Sequence, residues 1–301
     1  MFTARFQGRL LGFTVLVAML WAALGMNSGC DRRPAPVTQP GPRIVALSPA
    51  IGIILTDLGL GKAIVGRHGY DTFLPAELPT CGDQGGVDYE RLIKVSPTHV
   101  FTQWGKREYP DKLRRLAGER GWKLVDCDLT SLEDIRAGTR EIDAVMGGGP
   151  QGSASLHALE ARMEAAWAHR DGFERVGRVL LLAAVANPPA AFGPGSCHYE
   201  ILVRLGATPA IDAGAPYISL DAEDLIRLAP DAIVAIVPRA TGGAPTSQQD
   251  VLGPLKLLNL PAVRSGRLAL IDDPAAQIPA TSMIGFAEEL ARVLERWKQG
   301  V

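Results

Sequence analysis

Two glutamates stand at the same place in two related segments of the sequence. Residues 90–97 align without gaps to residues 223–230, so that Glu90 is matched by Glu223. In each octet an apolar pair follows the glutamate by two and three residues, and a proline ends a short helix just before a strand. Helix capping is one interpretation of each glutamate, since the helix dipole favours a carboxylate there. Two matched acidic points, one in each half of the chain, also suit a partner with two-fold symmetry.

The elements around the octets repeat as well. Short apolar runs alternate with helical patterns through both halves of the chain, and the runs that begin at Arg43 and Arg178 are spaced almost as the octets are. Strands are expected at residues 43–47, 64–67, 98–102 and 123–126, and again at residues 178–185, 210–212, 231–237 and 267–271. Continuous apolar strands with helical connections predict mainly parallel sheets covered on both faces.

A single helix is expected between the two halves. After a glycine-rich break at residues 147–152, a helix is predicted over residues 153–170, about 27 Å long at 1.5 Å per residue. Its apolar stripe consists of Leu156, Leu159, Met163 and Trp167. The fold class is therefore α/β, with similar lobes at residues 43–150 and 173–301 joined by one long inter-lobe helix within residues 151–172.

The first 30 residues are typical of an export signal. Arg5 and Arg9 precede an uncharged apolar run over residues 10–24, which is short for a bilayer span. The segment ending in Gly29 and Cys30 resembles a bacterial lipoprotein cleavage box, with Cys30 as the lipidated residue; cleavage by an ordinary signal peptidase is the alternative. Residues 31–42 are a proline-rich tether. The chain is expected on the periplasmic side of the inner membrane, anchored by lipid.

Charge composition argues against one class of partner, and the cysteine content limits the possible disulfides. The 301 residues carry 31 Lys plus Arg against 32 Asp plus Glu, and this balance, without basic blocks, argues against nucleic acid as a partner. Beyond Cys30 there remain Cys81, Cys127 and Cys197, which we interpret as buried thiols, although a disulfide between Cys81 and Cys127 stays open.

Several segments together carry a family resemblance. Residues 43–61, 64–67, 82–83, 88–92 and 228–234 resemble the substrate-binding proteins of ABC importers for cobalamin, haem and iron siderophores, and the resemblance extends over about residues 43–297. It implies a monomeric receptor without catalytic activity or a cofactor of its own, which delivers its cargo to an ABC permease dimer with its ATPase. In that family a glutamate on each lobe docks onto permease arginines, and by position these glutamates match Glu90 and Glu223.

The cargo is expected between the lobes, outside the carboxyl ends of the strands. The candidate ligand-binding residues are Arg67, His68, Tyr70, Phe73, Gln84 and Trp104 in the first lobe and Phe192, His198, Tyr199, Tyr217 and Asp273 in the second. Aromatic faces and a few polar groups suit a large chelate such as cobalamin or another corrinoid. By resemblance Tyr217 matches an aromatic position of cobalamin binders, whereas Gln84 stands where another aromatic residue occurs in those proteins.

Other functions stay open. A haem or ferric-siderophore protein of the same family would use His68, Tyr70 or His198 on iron. A binding protein for a bare metal ion would need three or four convergent ligands, but only His68 and His198 lie on cleft loops. A nitrogenase-like metallocluster enzyme would need several cysteines at one cluster. The nucleophile-elbow and phosphate-loop motifs of common enzymes do not occur in the sequence, which favours a binding protein.

Overall fold

The computed structural model describes residues 41–83, 85–105, 107–185 and 188–300. The predicted signal, Cys30, almost all of the tether and Gln84 lie outside these residues. Residues 42–301 form one compact unit, and its described residues include two six-stranded sheets, one in each lobe. This arrangement confirms the predicted α/β class. No helix within the described part of the chain has the length and apolar character needed to cross a membrane.

The N-lobe contains the first sheet, in the order β4-β3-β2-β1-β5-β6. Its strands are β1 Ile44–Ala46, β2 Ile64–His68, β3 Thr80–Asp83, β4 Gly86–Val87, β5 His99–Thr102 and β6 Lys123–Asp126. Its α-helices are α1 Pro49–Asp57, α2 Tyr89–Val95, α3 Asp111–Arg120 and α4 Leu132–Val145. All neighbouring strands are parallel except β3 and β4, and β1 at the centre is buried on both faces. Because the strands run in one direction, their carboxyl ends share one edge.

The helix between the sheets, α5, is shorter than predicted and covers Ala154–Ala166. Its stripe of Leu156, Leu159, Met163 and Trp167 is buried as expected. The helix ends early because the backbone N–H of Arg170 donates to the Leu205 carbonyl, 3.1 Å away. A tertiary hydrogen bond thus replaces the helical one, and α5 is about 20 Å long.

The C-lobe contains the second sheet, in the order β10-β8-β7-β11-β12, with β9 also paired to β7. Its strands are β7 Arg178–Ala184, β8 Ala190–Phe192, β9 Thr208–Pro209, β10 Tyr217–Ser219, β11 Ala232–Ile236 and β12 Leu268–Ile271. Its α-helices are α6 Cys197–Arg204, α7 Ala222–Leu228, α8 Gln248–Leu252, α9 Pro261–Arg264 and α10 Met283–Lys298. Strands β8 and β10 are antiparallel to their neighbours, and the others are parallel.

One strand prediction in the C-lobe was wrong. Residues 210–212 were expected to form a strand, but the strand is Thr208–Pro209 and Asp212 is exposed. The guanidinium of Arg178 donates a hydrogen bond to the Ala210 carbonyl at 2.7 Å. In a longer strand this carbonyl would accept from a neighbouring backbone N–H instead.

The repeat of the two octets is confirmed in backbone detail. Helices α2 and α7 are both seven residues long, and both begin at a capping aspartate, Asp88 or Asp221. Both end in a left-handed residue, Ser96 with φ 44° and Ala229 with φ 43°, and these are the two non-glycine residues with positive φ in the described chain. A left-handed conformation is unfavourable for both residue types, so its recurrence reflects a shared design.

Equivalent arginines support these two helix ends. The guanidinium of Arg43 donates to the carbonyls of Val95 and Ser96, with Nη2 2.6 Å from the Val95 oxygen. Arg178 places Nη1 2.9 Å from the carbonyl of Leu228, the last residue of α7. Carbonyls at a helix end have no intrahelical partner, so each arginine supplies donors where the strained residue ends the helix.

A hydrophobic core joins the lobes. One cluster of buried residues includes Phe101 from β5, Met163 from α5 and Leu290 from α10. Two further clusters lie within single lobes. Polar contacts also join the lobes, since the Thr281 hydroxyl donates to Asp57 at 2.5 Å and the Leu132 N–H donates to Glu200 at 2.9 Å. The two sheets are therefore parts of one packed body.

Candidate functional site

A cavity of about 560 Å³ lies at the carboxyl ends of the N-lobe strands, and we call it the N-lobe cavity. Its walls include Ser48 after β1, His68 at the end of β2, Asp83 at the end of β3 and Gln103 and Trp104 after β5. Parallel strands bring these residues to one edge although they are far apart in sequence. The structure therefore brings the predicted site residues His68 and Trp104 into one cavity.

Polar side chains hold this edge in place. The Ser48 hydroxyl donates to the Gln103 side chain at 2.6 Å, which links the ends of β1 and β5. The Asp126 carboxylate accepts from the Thr102 hydroxyl and from the Trp104 N–H, both at 2.7 Å. Since hydrogen bonds to a charged acceptor are stronger than neutral ones, Asp126 fixes the loop on which Trp104 is half-buried.

A second cavity, of about 530 Å³, lies between the lobes, and we call it the inter-lobe cavity. The N-lobe contributes Arg67 from β2 and the loop after β2, including Tyr70 and Phe73, and the C-lobe contributes residues that include Arg239 and Ile278. The hydroxyl groups of Thr72 and Thr241 are 2.7 Å apart and connect the two walls. Three predicted ligand-binding residues thus line the gap between the lobes.

Arg67 acts as a brace for this loop. Its Nη1 donates to the carbonyl of Asp71 at 2.8 Å and to that of His68 at 3.2 Å. The Asp71 side chain is 2% exposed, and its Oδ1 accepts from the N–H groups of Phe73 and Leu74. Burial raises the pKa of Asp71, because the charged form is poorly solvated. The loop conformation is therefore fixed by backbone hydrogen bonds to the half-buried Arg67 and the buried Asp71.

His68 and Tyr70 lie side by side on this loop. Their rings are 5.7 Å apart, and His68 Nδ1 accepts from the Tyr70 N–H at 3.2 Å. Burial lowers the pKa of His68, and the charges of Asp71 and Asp83 oppose that shift. The imidazole is thereby favoured in its neutral form, while the Tyr70 ring is 63% exposed. The imidazole of His68 lines the N-lobe cavity, and the phenol of Tyr70 lines the inter-lobe cavity.

The C-lobe has its own cavity of about 450 Å³ at the carboxyl ends of its strands. It is lined by Val185, Val237, Pro238 and Gln277 among others. The Gln277 amide donates to the carbonyls of Ala183 and Ile236 and so joins the ends of β7 and β11. No predicted ligand residue of the second lobe lines this cavity.

Sequence reasoning missed the residues that follow β11. Arg239 and Thr241 line the inter-lobe cavity, and Asp272 holds Arg239 at 2.8 Å while accepting from the Thr246 N–H. The repeat could have predicted these residues. Strand β11 is equivalent to β5, so Pro238 and Arg239 after β11 are equivalent to the segment after β5 that contains Trp104.

The predicted C-lobe aromatic residues Phe192 and Tyr217 are part of an aromatic stack. Tyr217 on β10 pairs with Phe192 on β8, and their rings meet edge to face at 6.0 Å. Phe192 stacks on His198 at 3.8 Å, and His198 meets Phe286 of α10 at 4.8 Å. Tyr217 at the outer end is 57% exposed and Phe286 at the inner end is 2% exposed. The stack therefore runs from the surface into the core.

His198 is consequently a core residue and not a cleft ligand in this structure. It is 2% exposed, and its Nε2 donates to the Ala276 carbonyl at 2.7 Å. Burial lowers the pKa of His198 to about 4, with a smaller opposing effect from that hydrogen bond. Tyr199 is half-buried on α6, and Asp273 is exposed with its Oδ1 accepting from the Ala275 N–H.

Glu90 and Glu223 occupy equivalent surface positions. Each is the second residue of its helix, α2 or α7, and each is exposed. The capping aspartates before them already accept from the first backbone N–H groups, so the glutamates are not needed as caps.

The three cysteines of the described chain are free and buried, and the disulfide between Cys81 and Cys127 is not formed. Burial raises the pKa of Cys81 to about 11 and that of Cys127 and Cys197 to about 12. Within the described residues, no three or more His, Cys, Asp or Glu side chains are grouped to hold a metal ion.

Comparison with known proteins rests on solved structures, because no family model and no curated protein sequence matches the chain. The periplasmic haem-binding protein RhuT from Roseiflexus sp. RS-1 is similar at 20% identity and TM-score 0.65, over 86% of this chain and 100% of that one. The periplasmic vitamin B12-binding protein BtuF of Vibrio cholerae is similar at 17% identity and TM-score 0.63, with the same coverage.

A third structure is the siderophore-binding protein FhuD from Vibrio cholerae, with bound Fe3+–Desferal, at 14% identity and TM-score 0.65, over 86% of this chain and 99% of that one. Identities this low establish similarity of fold, and the match extends over both lobes. The resemblance seen in the sequence is confirmed at this level: the chain has the fold of the two-lobed periplasmic solute-binding proteins.

Proposed function

We propose that the protein is the extracytoplasmic substrate-binding component of an ABC importer and that it holds a large metal chelate between its lobes. The observation that carries this proposal is the inter-lobe cavity, to which both sheets contribute loops from the carboxyl ends of their strands. Open α/β sheets bind ligands at this edge. The similar structures named for haem, vitamin B12 and siderophore binding support the same role.

Cobalamin or another corrinoid is the proposed cargo. Tyr70 and Tyr217 are among the exposed large hydrophobic residues, at 63% and 57%, and each stands on a different lobe. Trp104 adds a half-buried aromatic wall to the N-lobe cavity. Flat aromatic contacts of this kind suit a conjugated macrocycle, and the neighbouring polar groups would orient it.

Haem or a ferric siderophore is the second candidate. The observation that favours it is the adjacent pair of His68 and Tyr70, whose rings are 5.7 Å apart on one loop. Imidazole and phenolate are both ligands that iron accepts in proteins.

A ligand panel tests the function and separates these cargoes. The purified protein is mixed with cobalamin, cobinamide, haem and ferric siderophores, and its melting temperature and the ligand absorbance are recorded. A ligand at about 100 times its Kd stabilises the folded state by about 2.7 kcal/mol, so a true cargo produces a clear rise. If none of these chelates changes the melting temperature or the spectra, the proposal is wrong.

Glu90 and Glu223 are the proposed contacts with the permease dimer. Both are exposed on repeated helices, one on each lobe, which suits a symmetric partner. The double variant E90Q/E223Q should lose its complex with the permease in a pull-down and keep its chelate affinity. The control E119Q/E174Q changes two other exposed glutamates by the same charge and should bind the permease normally. A weaker chelate affinity in E90Q/E223Q would instead assign the glutamates to the cargo site.

Export and anchoring by Cys30 complete the proposal. The expected outcome is that the wild-type protein sediments with membranes, whereas a Cys30→Ala variant does not receive a lipid. If Cys30→Ala and wild type are both released as soluble protein, the signal is cleaved by the ordinary route and the anchor is excluded.

Small lobe movements on binding are proposed from the packing. The core cluster runs through both lobes, and α5 contains no proline or glycine at which it could bend easily. Small-angle scattering with and without chelate should give nearly superimposable profiles. A large decrease in the radius of gyration on binding would contradict this part of the proposal.

A further inference from the structure

Three side chains with sulfur and nitrogen donors meet inside the C-lobe, below the Phe192 ring. Cys197 Sγ is 3.5 Å from His198 Nδ1 and 3.6 Å from Met283 Sδ. The exposed fractions of Cys197, His198 and Met283 are 3%, 2% and 0%. Cys197 and His198 open α6 and Met283 opens α10, so two separate segments of the chain bring these atoms together.

The hydrogen bonding of His198 leaves the lone pair of Nδ1 directed at the Cys197 thiol, where it can act as a ligand. Nε2 lies 2.7 Å from the Ala276 carbonyl, and because a carbonyl can only accept, Nε2 carries the proton. Nδ1 is therefore the unprotonated nitrogen, and it is the atom next to Cys197 Sγ. A second group that fixes the tautomer of a histidine in this way is typical of metal-ligating imidazoles.

The donor set and its spacing select a class of metal. Thiolate and thioether ligands are soft and favour Cu(I) over harder divalent ions. With metal–sulfur bonds of about 2.3 Å and a metal–nitrogen bond of about 2.0 Å, a trigonal arrangement separates the donor atoms by roughly 3.7–4.0 Å. The distances of 3.5 and 3.6 Å are a few tenths of an ångström shorter, so a small outward shift would accommodate the ion.

Charge also favours a monovalent ion. The surroundings of His198 are apolar, since Phe192 stacks on its ring and Phe286 meets it edge to face. A Cu(I) ion with one thiolate is neutral overall, whereas a divalent ion would leave a net positive charge in the core, where isolated charges are costly.

We propose that Cys197, His198 and Met283 form a binding site for Cu(I), separate from the chelate cargo. On binding, the S–H bond of Cys197 breaks, a copper–sulfur bond forms and the proton passes to solvent, while the copper stays in its monovalent state. The bound ion would hold the His198 ring in place and so fix the aromatic stack that ends at Tyr217.

An anaerobic titration with Cu(I), in competition with a chromogenic Cu(I) chelator and without any cargo chelate, tests this site. The wild-type protein should bind one equivalent and release one proton. Cys197→Ala should lose the high-affinity equivalent, and Met283→Leu, which conserves side-chain volume, should bind on the order of tenfold more weakly. The controls Cys81→Ala and Cys127→Ala remove equally buried thiols outside the cluster and should behave as wild type.

Thermal melting of each variant shows whether it is folded, and Met283→Leu keeps the test valid if Cys197→Ala is unstable. The proposal is overturned if the wild type takes up no stoichiometric copper or if Met283→Leu binds as tightly as wild type. Equal losses in the three cysteine variants would also overturn it, because they would show unspecific thiol binding.

Discussion

The two lobes share their frame but differ in the side chains around that frame. The N-lobe edge is polar, with Ser48 bonded to Gln103 and Asp126 bonded to Thr102 and Trp104. The C-lobe presents the aromatic stack that begins at Tyr217. In contrast, helices α2 and α7 agree in length, capping and left-handed ends. The parts that repeat are the helices and their ends, and the parts that differ are the N-lobe strand ends and the C-lobe aromatic stack.

Sheet topology explains the difference. In the N-lobe, β2 and β3 continue the parallel sheet beyond β1, so that polar loops follow each strand end. In the C-lobe, β7 pairs with antiparallel β8, and β8 in turn pairs with antiparallel β10, which places Phe192 and Tyr217 next to each other. Two repeated frames therefore carry different strands at one edge of each sheet.

The largest expected effect comes from the inner end of the aromatic stack. Phe286→Ala should lower the free energy of unfolding by about 3–5 kcal/mol, because it removes a side chain that is fully packed. Phe73→Ala changes a half-buried residue of the loop after β2, and it should lower the free energy of unfolding clearly less than Phe286→Ala does. Chemical denaturation measures both values. Equal losses of unfolding free energy in the two variants would show that the packing of the C-lobe stack is no more stabilising than that of the N-lobe loop.

Arg43 and Arg178, which support the two repeated helix ends, should contribute similarly to the free energy of unfolding. Arg43→Ala and Arg178→Ala each remove charged donors from carbonyls at a repeated helix end, and each should cost about 1–3 kcal/mol. Arg162→Ala, at an exposed residue of α5, is the control and should change little. If either Arg43→Ala or Arg178→Ala leaves the free energy of unfolding unchanged, the two equivalent arginines do not contribute equally to stability.

Two aspartates beside the inter-lobe cavity should respond with opposite signs. Asp272→Asn weakens the pair with Arg239 and should cost about 0.5–2 kcal/mol. Asp71→Asn should stabilise the protein at neutral pH, since Oδ2 of Asp71 is buried without a hydrogen-bond partner in the described chain.

The pH dependence of the second variant follows from the raised pKa of Asp71. The cost of the buried charge is fully present above the folded pKa and is gone below 3.8, the ordinary value. The advantage of Asp71→Asn should therefore shrink as the pH falls through the folded pKa, which denaturation at several pH values measures. A constant advantage would assign the effect to something other than the charge.

The smallest effects concern the left-handed helix ends. Ala229→Gly should raise stability by about 0.5–1 kcal/mol, because glycine adopts positive φ without strain. Ser96→Gly should gain less, since the Ser96 hydroxyl donates to the Ile93 carbonyl at 3.0 Å and glycine loses that bond. Thermal unfolding of both variants checks the order, and the reverse order would show that the hydroxyl contributes nothing.

The sequence predicted the parts of the fold that depend on local pattern. The octets containing Glu90 and Glu223 indicated two equivalent helices, and the strand-end rule located His68 and Trp104 at one cavity. The braces by Arg43 and Arg178 were not foreseen, because side chains that reach across about 50 residues leave no local signal.

Other features depended on tertiary contacts and could not be read from the pattern. The end of α5 is set by the hydrogen bond between Arg170 and Leu205, and the burial of His198 by Phe286, which is 88 residues away in the sequence. Arg239 and Thr241, by contrast, were predictable, since the repeat places the end of β11 where β5 ends in the N-lobe.

The position of α10 in the chain has a consequence for biogenesis. This final helix supplies Phe286, Leu290, Leu294 and Trp297 to the core that both lobes share. A chain synthesised from its amino terminus therefore contains the whole first lobe before α10 is available to complete that core. Folding of the shared core would have to wait for α10, and a chain truncated before residue 283 should be degraded instead of accumulating as a half-molecule.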